Sequence, residues 1–157
     1  MSADKLSALL RIENILVGLA AEDRASVVKA LIENLAETGR ITKAQIGAAT
    51  RLINAREKDG STALGNHLAI PHARVSFADP VVAFALIRDG KAHDYGSLDS
   101  QPVKFVFLLL TPKDDDDRHI LLMKTIVSFI NNNVIHRRAL SGCQTVEEVM
   151  SVFVDYA

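Results

Sequence analysis

From Ile15 to Leu19 the chain reads Ile-Leu-Val-Gly-Leu, a short and partly β-branched apolar run that predicts a buried strand ending in a turn. Ala25, Val28, Leu31, Ile32 and Leu35 then recur at three- and four-residue spacing up to Gly39, the pattern of an amphipathic helix closed by a glycine. Thr42 and Gln45 have the form of a capping box, and Ile46, Ala49, Leu52 and Ile53 continue at helical spacing. This second helix is expected to deliver Arg56 and Glu57 to its C-terminal end. Lys58 to Asn66 reads as loop, and the apolar stretch Leu68 to Ile70 runs from it into Pro71 and His72.

Two further apolar runs, Val81 to Ile87 and Val103 to Leu110, are each preceded by proline and are too short and β-branched for helix. The second, with Phe105, Val106 and Phe107, predicts a strand buried on both faces. Asp89-Gly90 and Tyr95 to Gln101 are turn-rich. Asp114 to Asp117 introduce a long helix with His119, Met123, Ile126 and Ile130 on one stripe, stopped at Asn131 to Asn133. A short helix from Val134 to Leu140 ends at Gly142, and Thr145 and Glu148 cap a last helix that buries Val149, Val152 and Phe153. The alternation predicts an α/β fold: a layered single domain over 1–157, a mixed β-sheet flanked by helices. The non-helical connection from Asp89 to Gln101 favours mixed over all-parallel pairing.

Composition narrows the classes. With 48% hydrophobic and 24% charged residues in 157, the balance is that of one folded domain and excludes wholesale disorder. Eighteen basic against 19 acidic residues leave a formal charge of -1, with no clustered basic helix, so nucleic acid is not an expected partner. No window approaches the ~18 apolar residues of a membrane-spanning helix, so no direct membrane insertion is expected. The single cysteine, Cys143, excludes an internal disulfide and suits a reducing, cytoplasmic setting; nothing in the sequence around it suggests thiolate activation.

The chemistry concentrates between Arg56 and His72. Pro71 bars a helix and biases Ile70 to extended backbone, so His72 emerges at a strand end, where sites form in α/β sheets. Arg56, Ser61 and Thr62 are anion-binding types, and the loop around Gly60 and Gly65 can turn backbone N–H groups to a phosphate. His67 and His72 are five residues apart, which sends their rings to opposite faces of an extended chain and argues against a shared metal. Asp114 to Asp117 lack the spaced ligands of a calcium loop and read as a solvated helix start.

This stretch resembles the signature of enzyme IIA domains of the mannitol/fructose type in the bacterial phosphoenolpyruvate-dependent sugar phosphotransferase system, a family that includes nitrogen-regulatory IIA proteins. Arg56, Glu57, Ser61, Thr62, Gly65, Asn66, Ala69, Ile70, Pro71 and His72 match in order and spacing, and His119-Ile120-Leu121 match downstream. Ala63 and His67 depart from it, each standing where the family usually has glycine; a positive φ at Ala63 would strain it.

The resemblance implies that His72 accepts a phosphoryl group from the histidine-containing phosphocarrier protein and passes it to a cysteine of an enzyme IIB domain. Neutral imidazole suits this, having a free lone pair near pH 7. Arg56 is then the phosphate clamp, and His119, at a helix start, orients or stabilises the phosphoryl group. Gly65 and Asn66 belong to the phosphate loop; Ser61 and Thr62 either donate to the phosphate or hold the loop by bonds to its backbone. The scheme needs no metal or cofactor. The alternative within the family is a nitrogen-type regulator whose phosphorylation state controls binding to partner proteins.

Overall fold

The computed structural model describes residues 6–20, 23–77, 79–87 and 101–156. Six strands form one mixed sheet: β1 (Leu10–Leu19), β2 (Ala63–Gly65), β3 (Leu68–Ala69), β4 (His72–Val75), β5 (Val81–Ile87) and β6 (Phe105–Pro112). Among the described residues six α-helices accompany them: α1 (Leu6–Leu9), α2 (Arg24–Glu37), α3 (Ile46–Lys58), α4 (Asp116–Asn131), α5 (Val134–Ser141) and α6 (Val146–Tyr156).

β6 organises the sheet. It pairs antiparallel with β5 on one side, and on the other β3 and β4 lie end to end, both parallel to it; β1 joins β5 in parallel and β2 joins β3. The mixed pairing expected from the sequence is therefore present.

β5 and β6 are buried on both faces, and alternation sorts their side chains into two cores. Val81, Ala83, Ala85, Val106, Leu108 and Leu110 pack under α2 and α3. Val82, Phe84, Phe105, Phe107 and Leu109 pack under α4, α5 and α6, where Phe153 meets Phe84 and Phe107 edge-on at 5.4 and 5.7 Å. The last helix does bury Val149, Val152 and Phe153.

The helix ends follow local chemistry. Asp23 accepts from the Ser26 N–H at the start of α2, and Asp115 from the Arg118 N–H at the start of α4. Gln45 Oε1 accepts from the Thr42 N–H at 2.8 Å, as the capping pattern predicts, but the turn over Lys43–Gln45 is 3-10 and α3 starts only at Ile46. Asn133 caps α5 and Thr145 accepts from the Glu148 N–H in α6.

Four elements differ from the sequence reading. α1, one turn long, and β2, three residues long, are too short to carry a period. β1 starts at Leu10 rather than Ile15, because its pairing with β5 slips: from Leu10 to Ile15 the chain advances five residues while its partner advances two. Arg11, Ile12 and Glu13 bulge into solvent there and hide the strand pattern. Val103, expected to open the β6 strand, makes only an isolated bridge. The Asp89 to Gly90 turn and most of the Tyr95 to Gln101 stretch lie outside the described residues.

Beyond the bulge, Asn14 is fully buried and its amide is spent on α2. Its Nδ2 donates to Asn34 Oδ1 at 2.9 Å and to Thr38 Oγ1 at 2.7 Å, while its Oδ1 accepts from Arg40 Nη1 at 2.9 Å. This network pins the C-terminal end of α2 to the edge strand. Asn14→Ala is expected to lower the unfolding free energy by about 2–3 kcal/mol in urea titrations, three bonds at ~1 kcal/mol each; a change below ~0.5 kcal/mol would show that the network is not structural.

Candidate functional site

The site lies where β4 forms the open edge of the sheet, between the C-terminal end of α3 and the first turn of α4. Pro71 and His72 hold β4 in register: the Pro71 carbonyl accepts from the Leu109 N–H at 3.0 Å, and His72 stands opposite Leu109. Alternation then puts His72 and Arg74 on the α4 face, and Ala73 and Val75 in the core under α2 and α3. His72 is thus the first residue of a strand, slightly further into the sheet than the strand end expected.

The half-buried His72 ring donates from Nδ1 to the Ile70 carbonyl at 2.7 Å, since a carbonyl can only accept. In the neutral ring the lone pair is therefore on Nε2. The His119 ring stands 5.4 Å away, centroid to centroid, inclined by 50°. Its Nδ1 lies 2.6 Å from the Thr111 hydroxyl. Burial pushes the His72 pKa below the ordinary imidazole value of 6.5, and Arg56 adds to this against the Ile70 bond and Glu57. His119 is lowered too, first by burial and then by His72 and Arg74, with Asp116 opposing.

An open cleft of about 400 Å³ is lined by Arg56, Asp59, His72, Arg74 and His119, with Leu52 and Ala55 as its apolar wall. Arg56 turns one Nη1 donor back to the Gly60 carbonyl at 2.8 Å. Arg74 donates to the Lys113 carbonyl and forms an ion pair with Asp116. Of the seven residues singled out from sequence, Arg56, His72 and His119 meet at this cleft.

The other four do not line it. Thr62 is buried, and its N–H and hydroxyl both donate to the carboxylate of buried Glu57, which also faces Arg24 at 3.7 Å. Of the two roles left open for Thr62, the geometry favours holding the loop. Ser61 accepts from the Ala63 N–H. Gly65 and Asn66 form the β2–β3 hairpin, and Asn66 donates to Asn131 at the far end of α4.

Backbone strain falls elsewhere than at Ala63, which sits in β2 opposite Ala69. Within the hairpin the positive φ values are at Gly65 (90°), Asn66 (53°) and His67 (64°). Two central residues with positive φ are what a tight hairpin of the I′ type demands, where Asn-Gly is preferred. His67 accepts that strain and offsets it by donating from Nδ1 to the Pro102 carbonyl at 2.8 Å. Arg74 and Thr111 were missed in the sequence, and Glu57 was read as part of the motif without its burial. Arg74 alone had a signal, lying two residues after His72 on an extended chain and so on the same face.

Elsewhere, Cys143 is buried, its thiol pushed up by burial and by Glu148. Among the described residues no three His, Cys, Asp or Glu gather as a metal site, and no helix is long and apolar enough to cross a membrane.

Comparison with known proteins identifies the family. Residues 8–156 match the family model described as phosphoenolpyruvate-dependent sugar phosphotransferase system, EIIA 2. The chain belongs to that EIIA family. A nitrogen regulatory protein of Pseudomonas aeruginosa is 35% identical over 101 residues, 64% of each chain. A fructose-specific EIIABC component of Bacillus subtilis is 28% identical over 139 residues, 88% of this chain but 21% of that protein. The fold matches enzyme IIA-mannitol in its complex with phosphorylated enzyme IIB-mannitol from Escherichia coli, with a TM-score of 0.75 at 18% identity, covering 94% of this chain and 99% of that one. The EIIA chain thus has relatives in both the sugar-transport and the nitrogen-regulatory branches.

The hairpin gives a test in which two effects compete. His67→Ala keeps the positive φ and loses the bond to Pro102, so a loss of about 1 kcal/mol is expected in denaturant unfolding. His67→Gly loses the same bond but relieves a strain of ~1 kcal/mol, and should be within ~0.5 kcal/mol of the parent. Equal losses in both would show that the turn is not strained.

Proposed function

We propose that this EIIA chain is a cytoplasmic phosphocarrier: His72 accepts a phosphoryl group from the histidine-containing phosphocarrier protein and gives it to a cysteine of an enzyme IIB domain during sugar uptake. The observation that carries the reading is the bond from His72 Nδ1 to the Ile70 carbonyl, which leaves Nε2 as the nucleophile at a cleft holding Arg56 and His119.

In the first step the bond between phosphorus and the donor's histidine nitrogen breaks as the bond to His72 Nε2 forms. The His72 ring gains positive charge while Nδ1 keeps its proton, and the Ile70 carbonyl stabilises that charge. In the second, the cysteine thiolate attacks phosphorus and the electron pair returns to Nε2. The protein's task is positioning and charge stabilisation. Arg56 can offer its remaining guanidinium donors to phosphoryl oxygens, and His119 completes the other side of the cleft.

Phosphoenolpyruvate, enzyme I and the phosphocarrier protein should together add one acid-labile phosphoryl group per chain, absent in His72→Ala. Labelling of that variant equal to the parent would refute the assignment. Arg56→Ala should slow uptake by roughly 10- to 100-fold, the worth of a hydrogen bond to a charged group; an unchanged rate would remove the clamp.

The nitrogen-type reading is supported by the Pseudomonas relative and uses the same histidine. Label passing from phospho-His72 to an enzyme IIB thiol favours sugar transport. Binding of a channel or kinase by only one phospho-form, without that transfer, favours regulation.

The lowered pKa values of His72 and His119 set the pH window. A ring whose folded pKa lies below its unfolded value of 6.5 binds fewer protons folded than unfolded as pH falls. Stability is therefore full above 6.5 and is lost as pH drops from there through the folded values. Phosphoryl uptake should likewise be level from pH 8 to 6.5 and decline only below. A decline beginning above pH 7 would contradict the geometry.

A further inference from the structure

We propose that Thr111 fixes the tautomer of His119, so that His119 presents an N–H donor at Nε2 to the cleft and is barred from acting as a second phosphoryl acceptor. The use made of that donor rests on the phosphocarrier reading; the tautomer itself does not.

Thr111 is fully buried near the end of β6, opposite Arg74 of β4 and, by alternation from Leu109, on the α4 face. On a strand its hydroxyl has no carbonyl one helical turn back to bond with. Its only hydrogen-bond partner among the described residues is His119 Nδ1, at 2.6 Å. A hydroxyl has one proton to donate. If Nδ1 carried the ring proton, it would donate to Oγ1, and the Thr111 proton would be left buried with no acceptor. Such an orphaned group weights the population against that arrangement by roughly 5- to 150-fold. The hydroxyl therefore donates to a bare Nδ1, and the neutral His119 ring carries its proton on Nε2.

The consequence lies in the pairing of the two rings. His72 donates from Nδ1 to Ile70 and keeps its lone pair on Nε2. His119 is held in the opposite sense, with its lone pair spent on Thr111. Two chemically identical imidazoles 5.4 Å apart are thereby made different, one a nucleophile and one a donor to phosphoryl oxygens. The donor needs no added proton, so it works with the ring neutral. Because its Nε2 has no free lone pair, His119 does not compete for phosphorus. Thr111 touches no reacting atom in this scheme and is a positioning residue.

The test is a long-range proton–nitrogen spectrum of the full 15N-labelled chain near pH 8, with His119 assigned by its loss in His119→Gln, beside phosphoryl uptake rates. Wild-type chain and Thr111→Ser should show a bare Nδ1 and a protonated Nε2 at His119. Thr111→Val, which keeps the shape and removes the donor, should show a mixture of tautomers and uptake slowed about three- to tenfold, restored in Thr111→Ser. A wild-type ring protonated on Nδ1 overturns the proposal whether or not the valine variant folds. So does a valine variant with the parent's tautomer or the parent's rate. Absence of phosphoryl uptake by wild-type chain with the Nε2 proton in place overturns the phosphocarrier reading and leaves the tautomer assignment standing.

Discussion

The site depends on an interruption in one strand. Leu68 to Val75 runs along a single edge of β6 in one direction, and without Pro71 it would be one continuous parallel strand. At the break Ile70 turns its N–H away to the Thr62 carbonyl, Pro71 has no N–H to give, and the Pro71 carbonyl takes the bond from Leu109. The Ile70 carbonyl is left over, and it accepts from His72 Nδ1. One proline thus separates β3 from β4, and the Ile70 carbonyl, on the side of the chain that faces away from β6, decides which nitrogen of His72 keeps its lone pair. β6 supplies the fixed reference for all of this, since β5 on its other side and two cores hold it in place.

Legibility of the sequence tracked the range of the interaction. Amphipathic helices such as α2 and α4 announce themselves through 14 and 16 residues of period, and doubly buried strands such as β5 and β6 through short unbroken apolar runs. Arg56 and His72 stood out from the local sequence around Pro71, and a resemblance added the distant His119; spacing alone does not bring α3, β4 and α4 to one cleft. Thr111 had no such aid. Inside the run Phe105 to Pro112 a threonine is an ordinary β-branched strand residue, and only the packing of α4 on the sheet makes its hydroxyl a partner for His119. Glu57 was placed at the end of its helix, but its burial was not foreseen, because charge normally signals surface. The β1 bulge failed for the opposite reason: exposed residues at the slip erased the alternation that defines a strand.

Glu57 and Arg56 show how adjacent residues of opposite charge divide a task at the end of α3. Glu57 points inward, where Thr62 and Arg24 compensate its burial, and so ties the loop after the helix to the helix itself. Arg56 points to the cleft, braced on the Gly60 carbonyl of that same loop. Ser61, Thr62, Gly65 and Asn66 shape the ground on which Arg56 and His72 stand, which accounts for a motif much longer than the set of groups lining the cleft.

Under the proposed phosphocarrier reading the cleft must hold a phosphoryl group without keeping it, and its charge fits that requirement. Arg74 is neutralised by Asp116, and Asp59 also lines the cleft. Both imidazoles are lowered in pKa, first by burial, which favours their neutral forms. Arg56 is then the cation not neutralised by an ion pair among the described lining residues, and neutral hydrogen-bond donors complete the cleft. Each full positive charge close to a phosphoryl group in a half-buried site contributes on the order of a few kcal/mol, so a second or third would deepen the bound state by several powers of ten in lifetime. Uniform tightening of that kind stabilises the phosphorylated chain without lowering the barrier to the next acceptor. Fixing the tautomers by Ile70 and Thr111 provides orientation without added charge, and this suits a relay in which the group arrives and leaves through the same nitrogen.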